Sequence, residues 1–212
     1  MGVAIIGVGG LMKHVLAVLR AQDADIALFS ERESDLGIGA GGMRVHPLDA
    51  LSAPPHASRE LCIAIVNAAA RRRLDAVLSA QGRRFARIVA PSAVICADAE
   101  IAEGLFVNQM GMILAGARIG RQFRCGQCSY VSHDCEIGDH VTFAGRVSCN
   151  GHVRIEDDVF VGSGAVIRDG RPGDPLVIGA GAVIGMGAVV IRSVPPGAVM
   201  VGNPARPLQR GP

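Results

Sequence analysis

Apolar side chains recur at every sixth position along the second half of the chain. The large or branched members of this series are Val89, Ile95, Ile101, Val107, Ile113, Ile119, Cys125, Val131, Ile137, Phe143, Cys149, Ile155, Val161 and Ile167. Most are followed four positions later by a small or β-branched residue, as at Ala93, Ala117, Val141, Val153 and Ala165. The phase breaks over residues 168–177, which hold five residues more than one repeat, and resumes at Ile178, Ile184 and Val190.

A period of six fits neither the 3.6-residue helix nor the two-residue alternation of a strand. It is typical of a parallel β-helix, in which hexapeptides form the sides of a stacked coil. With three hexapeptides to a triangular coil, residues 18 positions apart lie on neighbouring coils, about 4.8 Å apart. The pattern therefore predicts a left-handed β-helix over residues 87–194, with a loop extruded at 168–177 and a C-terminal tail at 195–212.

The first 86 residues follow another pattern. Short apolar runs predict three strands, at residues 3–6, 26–29 and 61–66. Apolar residues at helical spacing predict a helix after the first strand, and Asn67 is a suitable N-cap for a second helix that ends near Gln81. Residues 37–55 begin with a glycine-rich segment and predict a loop. We expect a small Rossmann-like βαβαβ domain over residues 1–86, so the fold class is mixed α/β and all-β.

Composition removes several functional classes. The 212 residues carry a net charge of only +2, which does not favour nucleic acid as a partner. The longest uncharged apolar run, Leu176–Ile191, has 16 residues and four glycines, which is shorter than the ~18–20 residues that span a membrane. The N-terminus has no basic region or cleavage site typical of an export signal, so we expect a cytoplasmic protein. Its six cysteines are expected to be free thiols.

Three motifs together resemble a known family. They are a Gly7-Val8-Gly9-Gly10 turn after the first strand, the segment VSHDCEIGD over residues 131–139, and VGNPAR over residues 201–206. This combination is similar to the bacterial sugar-nucleotide N-acetyltransferases of the left-handed β-helix superfamily. The resemblance implies transfer of an acetyl group from acetyl-CoA to the amine of an amino sugar, expected to be nucleotide-linked. It also implies a homotrimer with active sites between subunits.

The resemblance makes His133 the general base, with Asp134 raising its basicity and Gly151 donating an N–H to the thioester oxygen. The residues themselves agree with these roles. His133 is at an outward position of its hexapeptide, and imidazole is suited to accept a proton near neutral pH. Gly151 lies 18 positions later, where a missing side chain leaves room beside His133. His152 is 18 positions after Asp134 and is expected to compete with His133 for that carboxylate.

The remaining site residues rest mainly on the resemblance. It implies cofactor contacts at Ser163 and Gly185 along the pantetheine arm, and Arg206 is a suitable cation for a CoA phosphate. Thr142 stands where many relatives carry a histidine that touches acetyl-CoA. For the nucleotide sugar, the residues implied are Gly9, Gly10, Leu11, Ser30, Glu31 and Val66. Relatives often have paired acids at the Ser30-Glu31 positions and a glycine at the Val66 position.

Three alternatives remain open at this point. A closely similar protein could O-acetylate a sialic-acid-like sugar, or a β-helix could bind a sugar nucleotide without catalysis. Some hexapeptide trimers are zinc hydratases with three histidine ligands. The spacings of 7 and 12 between His133, His140 and His152 do not match that pattern, so no metal is expected. We expect His140 and His152 to be ordinary surface histidines.

Overall fold

The computed structural model describes residues 2–39 and 42–208. Within it the chain divides into two units, Met1–Ile88 and Val89–Pro212. The predicted N-terminal domain and its loop include Met1, Ala40 and Gly41, which lie outside the described residues. The same holds for residues 209–212 of the predicted tail.

The N-terminal unit contains a five-stranded sheet with the order β3-β4-β2-β1-β5. Its strands β1 to β5 are Gly2–Ile6, Asp25–Ser30, Gly37–Ile38, Arg44–Pro47 and Glu60–Ile63. Neighbouring strands are parallel except for the pair β3 and β4. Helix α1 is Gly10–Arg20 and helix α2 is Ala68–Ala80. The parallel strands bring the segments after β1, β2 and β5 to the same edge of the sheet.

Local sequence explains both helices. The residues predicted to form the apolar face of α1 are all buried: Met12, Val15, Leu16 and Leu19. Asn67 caps α2 as predicted, since its side chain accepts a hydrogen bond from the Ala70 N–H at 2.9 Å. Gln81 is the C-cap residue of this helix.

The structure corrects three details of the N-terminal prediction. The segment 37–55, predicted as a loop, contains β3, β4 and a 3₁₀-helix at Leu48–Ser52. The described part of the connection from β2 to β5 contains 3₁₀-helices but no α-helix, so the helix order of a βαβαβ unit is not followed. Strand β5 ends at Ile63, earlier than expected, because residues 64–67 turn towards α2. The missed strands are short and mostly exposed, and their sequence therefore lacks an apolar alternation.

The second unit is the predicted parallel β-helix. Its short strands β6 to β24 are Ile88–Val89, Val94–Ile95, Glu100–Ile101, Phe106–Val107, Met112–Ile113, Arg118–Ile119, Arg124–Cys125, Tyr130–Val131, Glu136–Ile137, Thr142–Phe143, Ser148–Cys149, Val153–Ile155, Phe160–Val161, Val166–Ile167, Leu176–Ile178, Val183–Ile184, Val189–Val190, Val199–Val201 and Arg206–Pro207. They form three sheets, which we name by their strands: face B holds β6, β9, β12, β15, β18, β21, β23 and β24; face C holds β7, β10, β13, β16, β19 and β22; and face D holds β8, β11, β14, β17 and β20.

Register confirms the 18-residue stacking. Ile113 pairs with Val131, and Val131 with Cys149. Partners on either side of the extruded loop are 23 positions apart, as in the pair Ile155 and Ile178, because the loop adds five residues. The loop itself is shorter than predicted, since β20 already begins at Leu176.

The six-residue series points into the interior. From Val107 onward its members are all buried, and the smaller residues between them complete the same apolar cluster. One aromatic pair lies in this cluster: the rings of Phe123 and Phe143 meet edge to face with centroids 5.1 Å apart. Because the strands carry the core, the turns at the corners are left to present polar side chains. No helix of residues 2–39 and 42–208 is long and apolar enough to cross a membrane.

Candidate active site

His133 and Asp134 lie on the turn between β13 and β14, at the corner where face C meets face D. Both side chains are exposed, and His133 Nδ1 is 2.9 Å from Asp134 Oδ2. Since an ionised carboxylate only accepts hydrogen bonds, Nδ1–H is the donor in this pair. Asp134 has a left-handed backbone with φ 54°, and its N–H donates to the Ala115 carbonyl at 3.0 Å. The turn thus orients His133 with Nε2 available as an acceptor.

Gly151 lies on the next coil, against the ring of His133. A Cβ at this position would be 2.5 Å from His133 Cε1 and 2.6 Å from Nε2. A substitution would therefore displace the imidazole, which gives Gly151 a steric role that stacking by 18 positions predicted. Gly151 is itself buried, and its N–H makes no backbone hydrogen bond among the described residues.

His152 completes this cluster but is more distant from the carboxylate. Its Nε2 lies 3.9 Å from Asp134 Oδ2, too far for a hydrogen bond, and its ring stands edge to face with that of His133, with centroids 5.0 Å apart. Asp134 is therefore bonded to His133 rather than to its competitor. One possible ligand atom from each of the three residues lies within 4.8 Å of the others, a grouping that agrees with the 18-residue spacing of Asp134 and His152. His140, expected at the surface, is buried.

The nearby thiols are poorly placed as nucleophiles. Cys125, Cys135 and Cys149 are buried in the interior of the β-helix. Burial raises the pKa of Cys125 to about 12, so its thiolate is scarce near neutral pH. The pKa of Cys149 is also raised, by its hydrogen bond with Cys135 and by burial, whereas the same hydrogen bond lowers the pKa of Cys135. Because all three thiols are buried, their position favours direct transfer over an acyl-cysteine intermediate.

Two of the predicted cofactor residues lie on one corner, where face B meets face C. Ser163 is exposed on the turn before β19, and its carbonyl accepts a hydrogen bond from the Gly187 N–H at 2.9 Å. Gly185 is on the turn one coil further, where a Cβ would be 2.8 Å from Val201 Cγ1. Face C therefore has the His133 turn on one side and the Ser163 turn on the other.

The other two cofactor candidates lie on strands of face B rather than on its turns. Thr142 is buried in β15, on face B. Arg206 is exposed in β24, which pairs antiparallel with β23 on the same face, and its Nη1 donates to the Ala205 carbonyl at 3.0 Å. The structure therefore places Ser163 and Gly185 on turns of the same corner, and Thr142 and Arg206 on strands of face B.

The six predicted sugar-nucleotide residues share a cleft of about 710 Å³ in the N-terminal unit. Gly9, Gly10 and Leu11 line one wall, and Ser30, Glu31 and Val66 are also among its lining residues. Space above the first wall is open, since a Cβ on Gly9 or Gly10 would meet no atom within 4 Å. This wall is the N-terminus of α1, whose first turn has neither an acidic residue nor a side-chain cap. Its unpaired N–H groups and dipole favour an anion such as a phosphate.

Sequence reasoning missed several further members of the cleft, among them Asp35 and Arg73. Arg73 pairs with Glu31, Nη2 to Oε2 at 2.5 Å, and this contact raises the pKa of Arg73. Asp35 accepts a hydrogen bond from the Ser30 hydroxyl. Arg71 makes a contact within the protein: it is buried, and its Nη1 donates a hydrogen bond to the Ile65 carbonyl at 2.7 Å. Helix α2 has three consecutive arginines, Arg71, Arg72 and Arg73, and of these Arg73 alone lines the cleft, a distinction that helical periodicity could have suggested.

Comparisons with known proteins place this architecture. No protein-family model matches the chain. A GDP-perosamine N-acetyltransferase from Escherichia coli is 38% identical, over 98% of this chain and 96% of its own length. The structure of WeeI from Acinetobacter baumannii AYE is 37% identical, with a TM-score of 0.89 over 98% of this chain and all of that one. A histidine variant of perosamine N-acetyltransferase from Caulobacter crescentus, in complex with CoA and GDP-perosamine, is 27% identical, with a TM-score of 0.88 over 99% of this chain and 98% of that one.

The fold and these full-length matches define the chain as an acyltransferase of the hexapeptide-repeat, left-handed β-helix type. More narrowly, it belongs to the hexapeptide-repeat sugar acetyltransferase family, as its motifs predicted.

Proposed function

We propose that the chain transfers the acetyl group of acetyl-CoA to the amine of a nucleotide-linked amino sugar, with GDP-perosamine or a similar GDP-sugar as acceptor. The relative that supports this acceptor is named for GDP-perosamine N-acetylation, and a solved neighbour holds CoA and GDP-perosamine. The observation that carries the proposal on this chain is the exposed His133–Asp134 pair seated against Gly151. A cytoplasmic location stays a prediction.

His133 acts as the general base in this proposal. Asp134 accepts a hydrogen bond from Nδ1–H and so holds the tautomer in which Nε2 carries the lone pair. Acetyl-CoA supplies the acyl group, activated as a thioester. As the amine nitrogen bonds to the carbonyl carbon, Nε2 takes a proton from that nitrogen. When the C–S bond breaks, the imidazolium returns the proton to sulfur, so His133 is regenerated.

Gly151 is assigned two contributions. Its lack of a side chain allows the imidazole to stay in place, since even a methyl group would come within 2.5 Å of the ring. Its N–H is proposed to donate to the thioester oxygen, where negative charge develops during attack. Asp134 is a positioning residue, since it acts on the substrate only through His133.

The pantetheine arm is proposed to lie along face C, between the Ser163 corner and the His133 corner. Ser163 and Gly185 would then contact the arm, and Arg206 would meet a phosphate of CoA. The buried position of Thr142 gives it no such contact in the isolated chain, so its role stays a prediction.

A homotrimer is proposed from the contrast between two outward faces. The outward row on face C is largely apolar: Val94, Met112, Tyr130, Ser148, Val166 and Val189. The row on face D alternates in charge, with Glu100, Arg118, Glu136 and Arg154 forming ion pairs along the sheet. An apolar row gains more from burial against a second copy than a row of self-paired charges does. Face C is the proposed subunit interface in preference to face D.

The N-terminal unit is proposed to be a Rossmann-like sugar-nucleotide domain. Support comes from its parallel strands, the open glycines at the start of α1 and the cleft that gathers Gly9, Gly10, Leu11, Ser30, Glu31 and Val66. The diphosphate would bind the N-terminus of α1.

The test is thiol release from acetyl-CoA with GDP-, UDP- and dTDP-linked amino sugars. We expect turnover with the GDP-sugar, and a loss of about 10²–10⁴-fold in kcat in His133→Ala. The matched control is His152→Ala, which removes a neighbouring imidazole that does not bond to Asp134. Turnover that survives His133→Ala would remove His133 as the base. Absence of turnover with every amino sugar would contradict N-acetylation and favour a hydroxyl acceptor or a purely binding role.

A further inference from the structure

The sugar-nucleotide cleft contains the carboxylate of Asp35, which is held in place by a hydroxyl group rather than by an ion pair. Ser30, the buried last residue of β2, donates its hydroxyl hydrogen to Asp35 Oδ2 at 2.7 Å. The same hydroxyl accepts the Arg32 N–H at 3.2 Å. These bonds fix Asp35, the last residue of a short 3₁₀-helix at Glu33–Asp35, against the end of β2. Ser30, Arg32 and Asp35 all line the cleft.

The second acid of the cleft is differently engaged. Glu31 forms an ion pair with Arg73, and its side chain is already met by a cation. Among the described residues, the only hydrogen bond to the Asp35 side chain comes from the Ser30 hydroxyl, through Oδ2. Because each carboxylate oxygen has two lone pairs, Asp35 keeps acceptor capacity on both oxygens. It therefore offers a half-buried, oriented acceptor for neighbouring N–H groups.

The nucleobases differ in how well they match such an acceptor. Guanine presents its N1–H and its 2-amino group side by side, so one carboxylate can accept both. Uracil has one N–H between two carbonyl oxygens, which would repel the second carboxylate oxygen. Hypoxanthine keeps the N1–H of guanine but has no 2-amino group. A site built to accept an N–H rejects analogues that lack it.

We infer that Asp35, oriented by Ser30, is the residue that selects guanine in the acceptor nucleotide. This inference rests on the proposed function for the identity of the cleft, and it adds the residue that determines the base. Ser30 stands where relatives often have an acid. Asp35 supplies the carboxylate from five positions further along the chain, through the Ser30 hydroxyl.

The test is calorimetric binding of GDP, IDP and UDP to the full chain and two variants. Asp35→Asn removes the charge and one acceptor oxygen, whereas Glu33→Gln removes a charge from an exposed side chain on the same 3₁₀-helix that does not line the cleft. In the wild type we expect GDP to bind about ten-fold or more tightly than IDP, from one charge-assisted hydrogen bond. In Asp35→Asn the two Kd values should agree within about three-fold, whereas Glu33→Gln should keep the wild-type ratio.

Several results would overturn the inference. If the wild type binds IDP or UDP as tightly as GDP, the inference is wrong. This result needs no variant, so it can be obtained even if Asp35→Asn fails to fold. If folded Asp35→Asn keeps the wild-type ratio of the Kd values for GDP and IDP, Asp35 only stabilises the turn. The same conclusion follows if Glu33→Gln changes that ratio as much as Asp35→Asn does. These results are separate from the proposed function, because thiol release with a GDP-linked amino sugar reports acetyl transfer whether or not Asp35 reads the base.

Discussion

The β-helix and the N-terminal unit assemble their sites in different ways. In the β-helix, His133 and Gly151 meet because every coil repeats the same path, so a separation of 18 residues becomes a contact. In the N-terminal unit, the cleft forms where the ends of β1, β2 and β5 meet the starts of α1 and α2. A periodic fold thus encodes its contacts in spacing, whereas the sheet encodes them in topology. We propose chemistry for the first region and nucleotide recognition for the second.

Apart from replacement of His133 itself, the largest effect should come from a methyl group at Gly151. Gly151→Ala should lower kcat by about 100-fold, since the new Cβ displaces the His133 ring by close to an ångström. The acetyl-transfer assay measures this, and nucleotide binding by calorimetry should be unchanged because the cleft belongs to the other unit.

A double variant identifies the cause of that loss. Gly151→Ala should also lower Tm, and His133→Ala/Gly151→Ala should recover it because the clashing ring is gone. Residues 97, 115, 133 and 151 occupy the same corner on successive coils, because they are 18 positions apart. Ala97 and Ala115 are neighbours in this series, so the corner tolerates a methyl group where no imidazole contacts it. A Tm that the second substitution does not recover would show that the backbone of the turn, rather than the ring, excludes a side chain.

A smaller effect is expected for Asp134. Asp134→Asn keeps the shape but weakens the hold on the Nδ1–H tautomer, and kcat should fall by about ten-fold with little change in KM. His152→Ala, the matched control, should change kcat by less than about two-fold. If the control is the more damaging of the two, the carboxylate serves His152, and the 2.9 Å contact with His133 is incidental.

A contrasting effect on KM should come from the N-terminal unit. Gly9→Val places a branched side chain in the open space at the start of α1, so the KM for the nucleotide sugar should rise by about 5–10-fold while kcat at saturation is unchanged. Ala17→Val, at an exposed position of the same helix, controls for lower helix propensity. A fall in kcat with unchanged KM would place this helix end in the chemical step instead.

The smallest effect concerns thiol accessibility. Of the six cysteines, only Cys128 is exposed, so iodoacetamide should modify it first. Cys125 should be among the slowest, because a pKa raised to about 12 leaves little thiolate at pH 8. Peptide mapping by mass spectrometry gives the order. Cys128 shares the Ser163 corner, so acetyl-CoA should slow its labelling; an unchanged rate would argue against the proposed path of the pantetheine arm.

Sequence alone predicts most of the β-helix for a physical reason. Each hexapeptide must bury one large residue, so the core is visible in the sequence as an apolar residue at every sixth position. Because residues 18 positions apart lie on neighbouring coils, the sequence also places Gly151 beside His133. It also brings Asp134 towards His152, but which histidine bonds to the carboxylate depends on distances of 2.9 and 3.9 Å that periodicity does not resolve.

The N-terminal unit is less predictable, since its details depend on single contacts. The short strands β3 and β4 have few buried residues: in β4 only Val45 is buried. Asp35 lies in an exposed, polar segment, and its link to Ser30 is a tertiary hydrogen bond without a sequence pattern. The pairing of Glu31 with Arg73 joins residues 42 positions apart and has no spacing rule.

The most direct test of the central claim is a structure with CoA and a GDP-linked amino sugar bound together. We expect the sugar amine to lie within about 3.2 Å of His133 Nε2. An amine positioned against His152, or beyond hydrogen-bond reach of His133, would contradict the assignment of His133 as the base.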